Sequence, residues 1–113
     1  MDRLAFYRKS VKTILQDYHA WVAQTPGEAL QSCLSLDEDR DQYLWFNVGW
    51  QGKTRIFNVI VCVQIKAGKV WVEEDWTRQG IVDELLQAGI AQEDIVLGFQ
   101  HPTKREFTGF AVA

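Results

Sequence analysis

The chain has 113 residues and 13.0 kDa, room for one domain, and its 47% hydrophobic and 24% charged composition with only 2 prolines excludes a disordered or low-complexity scaffold. Its net charge of -3 and pI near 5.3 leave it without the basic footprint on which direct nucleic-acid binding depends. Any association with DNA is therefore expected to pass through a partner.

From Leu4 the apolar residues recur at Leu4, Tyr7, Val11, Ile14, Leu15, Tyr18 and Val22, the spacing that gathers them on one face of a helix. Arg3, Arg8, Lys9, Lys12 and Asp17 fall mostly elsewhere on the wheel. Pro26 disfavours helical geometry at Thr25 and Gly27 supplies a turn, so the helix is expected to end near Gln24.

The period then changes from about 3.6 to 2. Strands are expected over Glu28 to Leu36, Asp41 to Trp50, Lys53 to Lys66 and Lys69 to Asp75. The joints at Gln51-Gly52 and Ala67-Gly68 are short and carry glycine, which predicts tight hairpins and antiparallel neighbours. The third segment is the longest and least polar, so it is placed centrally with the opening helix over one face.

A second helix is expected over about Gly80 to Ala88, with Ile81, Val82, Leu85 and Leu86 on one side and Asp83 and Glu84 in its first turn. Gly89 suits the left-handed residue after it, and Ile90 would return an apolar contact to Leu85. Ala91 to Asp94 reads as a short turn before a further short strand at Ile95 to Phe99. The tail from Gln100 to Ala113 is expected to be ordered, because Phe107, Phe110 and Val112 are costly to leave in water. The fold class is thus α+β: a long N-terminal helix on a four- to five-stranded antiparallel sheet, with a short helix near 80–88, in a single domain over 1–113.

No apolar run approaches the roughly 20 residues that cross a bilayer, and the charged, amphipathic N-terminal stretch lacks a signal peptide's unbroken apolar segment. A cytoplasmic protein without membrane association is expected. Cys33 and Cys62 are isolated in apolar strand-like stretches, the setting of buried thiols in a reducing compartment rather than of a structural disulfide.

Asp37-Glu38-Asp39-Arg40-Asp41 imitates the start of a calcium loop, but Gln42 and Val48 stand where that loop needs glycine and a bidentate glutamate. It reads as a solvated acidic turn. Glu73 and Asp75, two apart on a strand, share a side and form a weak candidate for acid and base chemistry. Cys33, Cys62, His19 and His101 lack close ligand spacing, so neither a zinc site nor any other metal or cofactor is expected. For a nucleophile the only bases are His19 and His101, and His101 beside Pro102 reads as a turn residue. Gln64 and Lys66, with Asp41 upstream and Glu73 nearby, loosely imitate a metal-dependent nuclease motif. Glutamine would be a poor magnesium ligand there.

The remaining signal is aromatic. Trp21, Trp45, Trp50, Trp71 and Trp76 are more than a core of this size requires, and at least one of Trp45, Trp50 and Trp76 is a candidate for a subunit or partner contact.

The order of segments resembles the XisI family, known as fdxN element excision controlling factors of cyanobacteria. The resemblance rests on Leu4-x-x-Tyr7, Val48-Gly-Trp-Gln-Gly-Lys-Thr-Arg55 and Val70-Trp-Val-Glu-Glu-Asp-Trp-Thr77. It continues through Gly80-Ile-Val-Asp-Glu-Leu85, Asp94-Ile-Val-Leu-Gly-Phe99, His101-Pro102 and Phe110-Ala-Val. It covers nearly the whole chain. Arg78 and Gln79 depart from the family pattern, where an acidic residue is expected, as does Gln100, where a second histidine is. The resemblance implies a small α+β protein without catalytic residues, acting with a companion, XisH, to control site-specific excision of a DNA element during heterocyst development while a separate recombinase cuts and rejoins. An XisH-like partner is thus expected, with self-association also open. Trp76, Arg78, His101, Lys104 and Arg105 are the contact candidates. The rival expectation is a nuclease-like enzyme using Asp41, Gln64 and Lys66.

Overall fold

The computed structural model describes residues 2–23 and 30–113. The expected helix end at Gln24 to Gly27 and the first strand's start at Glu28 lie outside them. The elements run α1 (Arg3–Ala23), β1 (Leu30–Asp37), β2 (Gln42–Gln51), β3 (Thr54–Lys66), β4 (Lys69–Asp75), α2 (Ile81–Gln87), a 3₁₀ turn (Gln92–Asp94), β5 (Ile95–Leu97) and α3 (Pro102–Arg105).

Asp2 starts α1 by accepting hydrogen bonds from the amides of Leu4 and Ala5 at 3.0 and 3.3 Å. Tyr7, Val11, Ile14 and Leu15 on its apolar face are buried against Tyr43, Trp45, Val61, Val63, Val70 and Val72 of the sheet. Burial of each such side chain contributes roughly 1.5–3 kcal/mol, which outweighs the weak intrinsic preference of so many β-branched and aromatic residues for helix. α2 lies on the same side and buries Ile81 and Leu85.

The five strands are ordered β1-β2-β3-β4-β5. β1 to β4 form antiparallel hairpins, with Gly52 at φ 62 in the first short turn and Ala67 and Gly68 at φ 53 and 77 in the second. The sheet is nevertheless mixed, which corrects the antiparallel expectation. β5 pairs parallel to β4, Val70 with Ile95 through Val72 with Leu97. The chain between them contains α2 and the 3₁₀ turn, a crossover long enough to bring β5 back in β4's direction.

α2 ends as its sequence implied. Gly89 has φ 104, its amide donates to the Leu86 carbonyl at 3.0 Å, and the Ile90 amide donates to the Leu85 carbonyl at 3.1 Å. Ile90 is buried beside Leu85.

The tail is ordered for another reason than expected. Phe110 packs on the core, but Phe107 and Val112 remain 81% and 55% exposed. Backbone bonds hold the segment instead: the Ala111 amide donates to the Ile95 carbonyl at 2.9 Å, and Gln92 donates to the Gly109 carbonyl at 2.6 Å.

Candidate functional site

A groove of about 580 Å³ lies between the C-terminal half of α1, the sheet and the loop that leads from β4 to α2. Ile14, Tyr18, Trp45 and Ile60 supply its apolar floor. Tyr18 and Trp45 stack there, with centroids 5.4 Å apart and planes 19° apart. Trp45 is further fixed by Ser32, whose hydroxyl accepts from the indole Nε1 at 2.7 Å and lies 2.8 Å from Nδ1 of His19. His19, considered as a base, thus joins α1 to β1 and β2. Burial, then the nearby charges of Glu84 and Asp75, push the Tyr18 phenol up.

The rim is different in kind. Trp21 and Trp76 stand 72% and 75% exposed, accompanied by Asp17, Arg78 and Glu84. A large indole held in water is costly, and such residues characterise protein interfaces. Trp76 is not loose: its Nε1 donates to Glu74 at 2.8 Å and its amide to the Ile60 carbonyl at 2.8 Å.

Asp75 builds the loop behind this rim. It accepts from the Thr77 amide and hydroxyl at 3.1 and 2.6 Å, and its other oxygen accepts from the Ile81 amide at 2.7 Å, capping α2 from the end of β4. The spacing Asp75-x-Thr77 was available in the sequence as an Asx-turn signal. The acid-pair pattern of Glu73 and Asp75 does not carry that role. That pairing with Glu73 is also corrected. A β-bulge shifts the register between Cys62 and Val63, which partner Glu74 and Val72, so Glu73 is the extra residue and strict alternation fails. Glu73 lies against Gly98 and 4.0 Å from Lys66, whereas Asp75 turns to α2.

The other contact candidates occupy a second locality. Trp71 alternates with the buried Val70 and Val72 and so faces away from α1. Two cations lie over its ring: Lys66 Nζ is 4.2 Å and the Arg105 guanidinium 5.3 Å from its centroid. Arg105 also donates to the carbonyls of Gln100 and Gly98 at 3.0 and 3.3 Å, tying α3 to the end of β5. His101 caps α3, its Nδ1 accepting from the Thr103 amide at 3.3 Å, so it is a turn histidine as expected. His101 and Lys104 are exposed. Trp76 and Arg78 therefore rim the groove, while His101, Lys104 and Arg105 belong to the α3 end.

The nuclease-like set does not converge. Asp41 points to α1, where Arg8 Nε donates to it at 2.7 Å, and it also accepts from the Tyr43 hydroxyl at 2.9 Å. The Arg8 hydrogen bond holds the Asp41 carboxyl below the usual range. Gln64 pairs with Gln42 and Trp71 and, with Lys66, takes the opposite face of the sheet. Among the described residues no group of three or more His, Cys, Asp or Glu side chains could hold a metal ion. The acidic turn closes on itself, Asp37 accepting from the Arg40 amide at 3.1 Å. Cys33 and Cys62 are free thiols, and burial pushes the Cys62 thiol up. No helix among the described residues is long and apolar enough to cross a membrane.

Residues 1–112 match the sequence profile of the XisI protein family. The chain belongs to the XisI family. Its structure is similar to the crystal structure of the fdxN element excision controlling factor XisI from Anabaena variabilis, at 47% identity and a TM-score of 0.88 over 99% of this chain and 100% of that one. It is also similar to a XisI-like protein from the same organism, at 38% identity and a TM-score of 0.90 over 97% of this chain and 99% of that one. No curated protein matches it. The helix, the five-stranded mixed sheet and the short helices thus form the XisI architecture.

Proposed function

We propose that this XisI-family chain is a non-enzymatic controlling factor that acts with an XisH-like protein in site-specific excision of a DNA element, in the setting of heterocyst development. The observation that carries the reading is its 47% identity, over essentially the full chain, to a protein identified as an fdxN element excision controlling factor. The chemistry of the surface supports it. The acidic pI disfavours a direct grip on phosphates, while a groove rimmed by two exposed tryptophans suits a polypeptide. Trp76 and Arg78 at the rim and His101, Lys104 and Arg105 at the α3 end are the contact residues in this reading, and the protein is cytoplasmic.

The test is an excision reporter in cells carrying the recombinase and the XisH-like protein, with and without this chain. Excision that requires this chain supports the role. Excision indifferent to it, or magnesium-dependent nicking of plasmid DNA by the purified chain alone, removes it.

A further inference from the structure

The hairpin of β2 and β3 extends past β4 on one side, whereas β1 follows β2 as far as Gly49 on the other. β4 accompanies β3 only from Val61 onward, so among the described residues Thr54–Val59 pairs with β2 alone and its other edge is open.

One face of the arm breaks the pattern of a solvated sheet. Trp45 turns to Tyr18 of α1, so Phe46 and its alternates Val48 and Trp50 take the opposite face, joined across the ladder by Val59, Phe57 and Arg55. A face turned to water should carry polar residues here. Instead Phe46 and Phe57 pack with centroids 5.6 Å apart, and Phe57 and Trp50 remain 64% and 51% exposed. The one charge, Arg55, sits 5.2 Å over the Trp50 ring.

We propose that this arm is a self-association surface, on which a second copy of the chain lays its own arm about a two-fold axis near Phe57. Charge and symmetry select that occupant. The arm offers a charged partner almost nothing to pair with, whereas an identical arm matches it apolar group for apolar group. The acidic turn at Asp37–Asp41 lies at the far end of β2 from Gly52, so the net charge of -3 is not confronted across the axis. With the strands antiparallel about Phe57, Arg55 of one copy comes beside Val59 of the other, and the two cations stay apart.

Sedimentation equilibrium of the purified full chain tests this, with circular dichroism confirming that each variant is folded. The wild type is expected at twice the 13.0 kDa chain mass. Phe57→Glu should raise the dissociation constant by about two orders of magnitude, as loss of a central aromatic anchor does. Trp50→Glu, also exposed, should do the same should the first variant misfold, and Trp76→Ala, on the groove rim, should leave the dimer unchanged. A wild type that remains monomeric at about 100 μM, well above the dissociation constant of a specific interface, overturns the proposal. So does a dimer indifferent to both arm variants, or a monomer whose Phe57→Glu variant instead loses capture by the XisH-like protein.

Discussion

Arg8 of α1 grips Asp41, the turn residue just before β2, through two bonds, Nε to Oδ1 at 2.7 Å and a terminal nitrogen to Oδ2 at 3.1 Å, so the helix is locked to the sheet at a residue whose own φ is 53. The paired geometry fixes direction as well as distance. The same carboxylate accepts from the hydroxyl of Tyr43, one of the largest fully buried side chains. Asp41→Ala should therefore destabilise the fold by about 1–3 kcal/mol, chiefly by orphaning that hydroxyl. Asp41→Asn should cost less, because it keeps an acceptor and tolerates positive φ. Urea unfolding of the two variants checks the order.

The pair also sets a pH dependence. Asp41 titrates below its unfolded value, because Arg8 and then Tyr43 bond to the charged form. Its stabilisation is present above the unfolded pKa of about 3.9 and is lost as pH falls through the lower folded value. The stability gap between wild type and Asp41→Asn should be constant near neutrality and close below about pH 4. Melting temperatures measured from pH 7 downward would show this, and a gap that persists in acid would exclude it.

Asp75 organises the loop beneath the groove rim by serving Thr77 and the first amide of α2 together. Asp75→Ala should cost about 1–2 kcal/mol, the usual loss for a missing cap. Partner binding should weaken as well, because Trp76 and Arg78 lie on that loop. Gly89→Ala, at φ 104, should cost about 1–2 kcal/mol through backbone strain alone and leave binding intact. Thermal melts combined with binding assays separate the two effects.

Much of this architecture was legible because local and global signals agree. The apolar stripe Tyr7, Val11, Ile14 and Leu15 buries as its spacing implied, β4 occupies Lys69–Asp75 as read, and Gly89 with Ile90 closes α2 as composition dictates. The failures lie where the decisive partner is remote in sequence. Nothing within Ile95–Leu97 states that its neighbour is the parallel β4. The bulge that separates Glu73 from Asp75 exists only in the pairing with β3. Hydrophobicity alone counts Phe107 as costly to leave in water, yet it is exposed, as apolar residues commonly are on folded surfaces. For the site, Trp76 could be named from its residue type, but the groove it rims required knowing how α1 lies on the sheet.

Trp76→Ala and Arg78→Ala should leave stability within about 0.5 kcal/mol of wild type, since both side chains are exposed and away from the core. Loss of the Trp76 anchor should weaken binding of an XisH-like protein by at least about tenfold. Titration calorimetry beside a thermal melt distinguishes this from general destabilisation. Lys104→Ala at the α3 end asks whether that locality shares the contact.

The central claim, that this chain works by recognising another protein, is tested most directly by co-expressing it with the XisH-like protein and measuring the mass and stoichiometry of what elutes by light scattering. The account predicts one peak holding both chains in fixed ratio, lost on Trp76→Ala. Two separate peaks, with the wild-type chain folded and unbound, would contradict it.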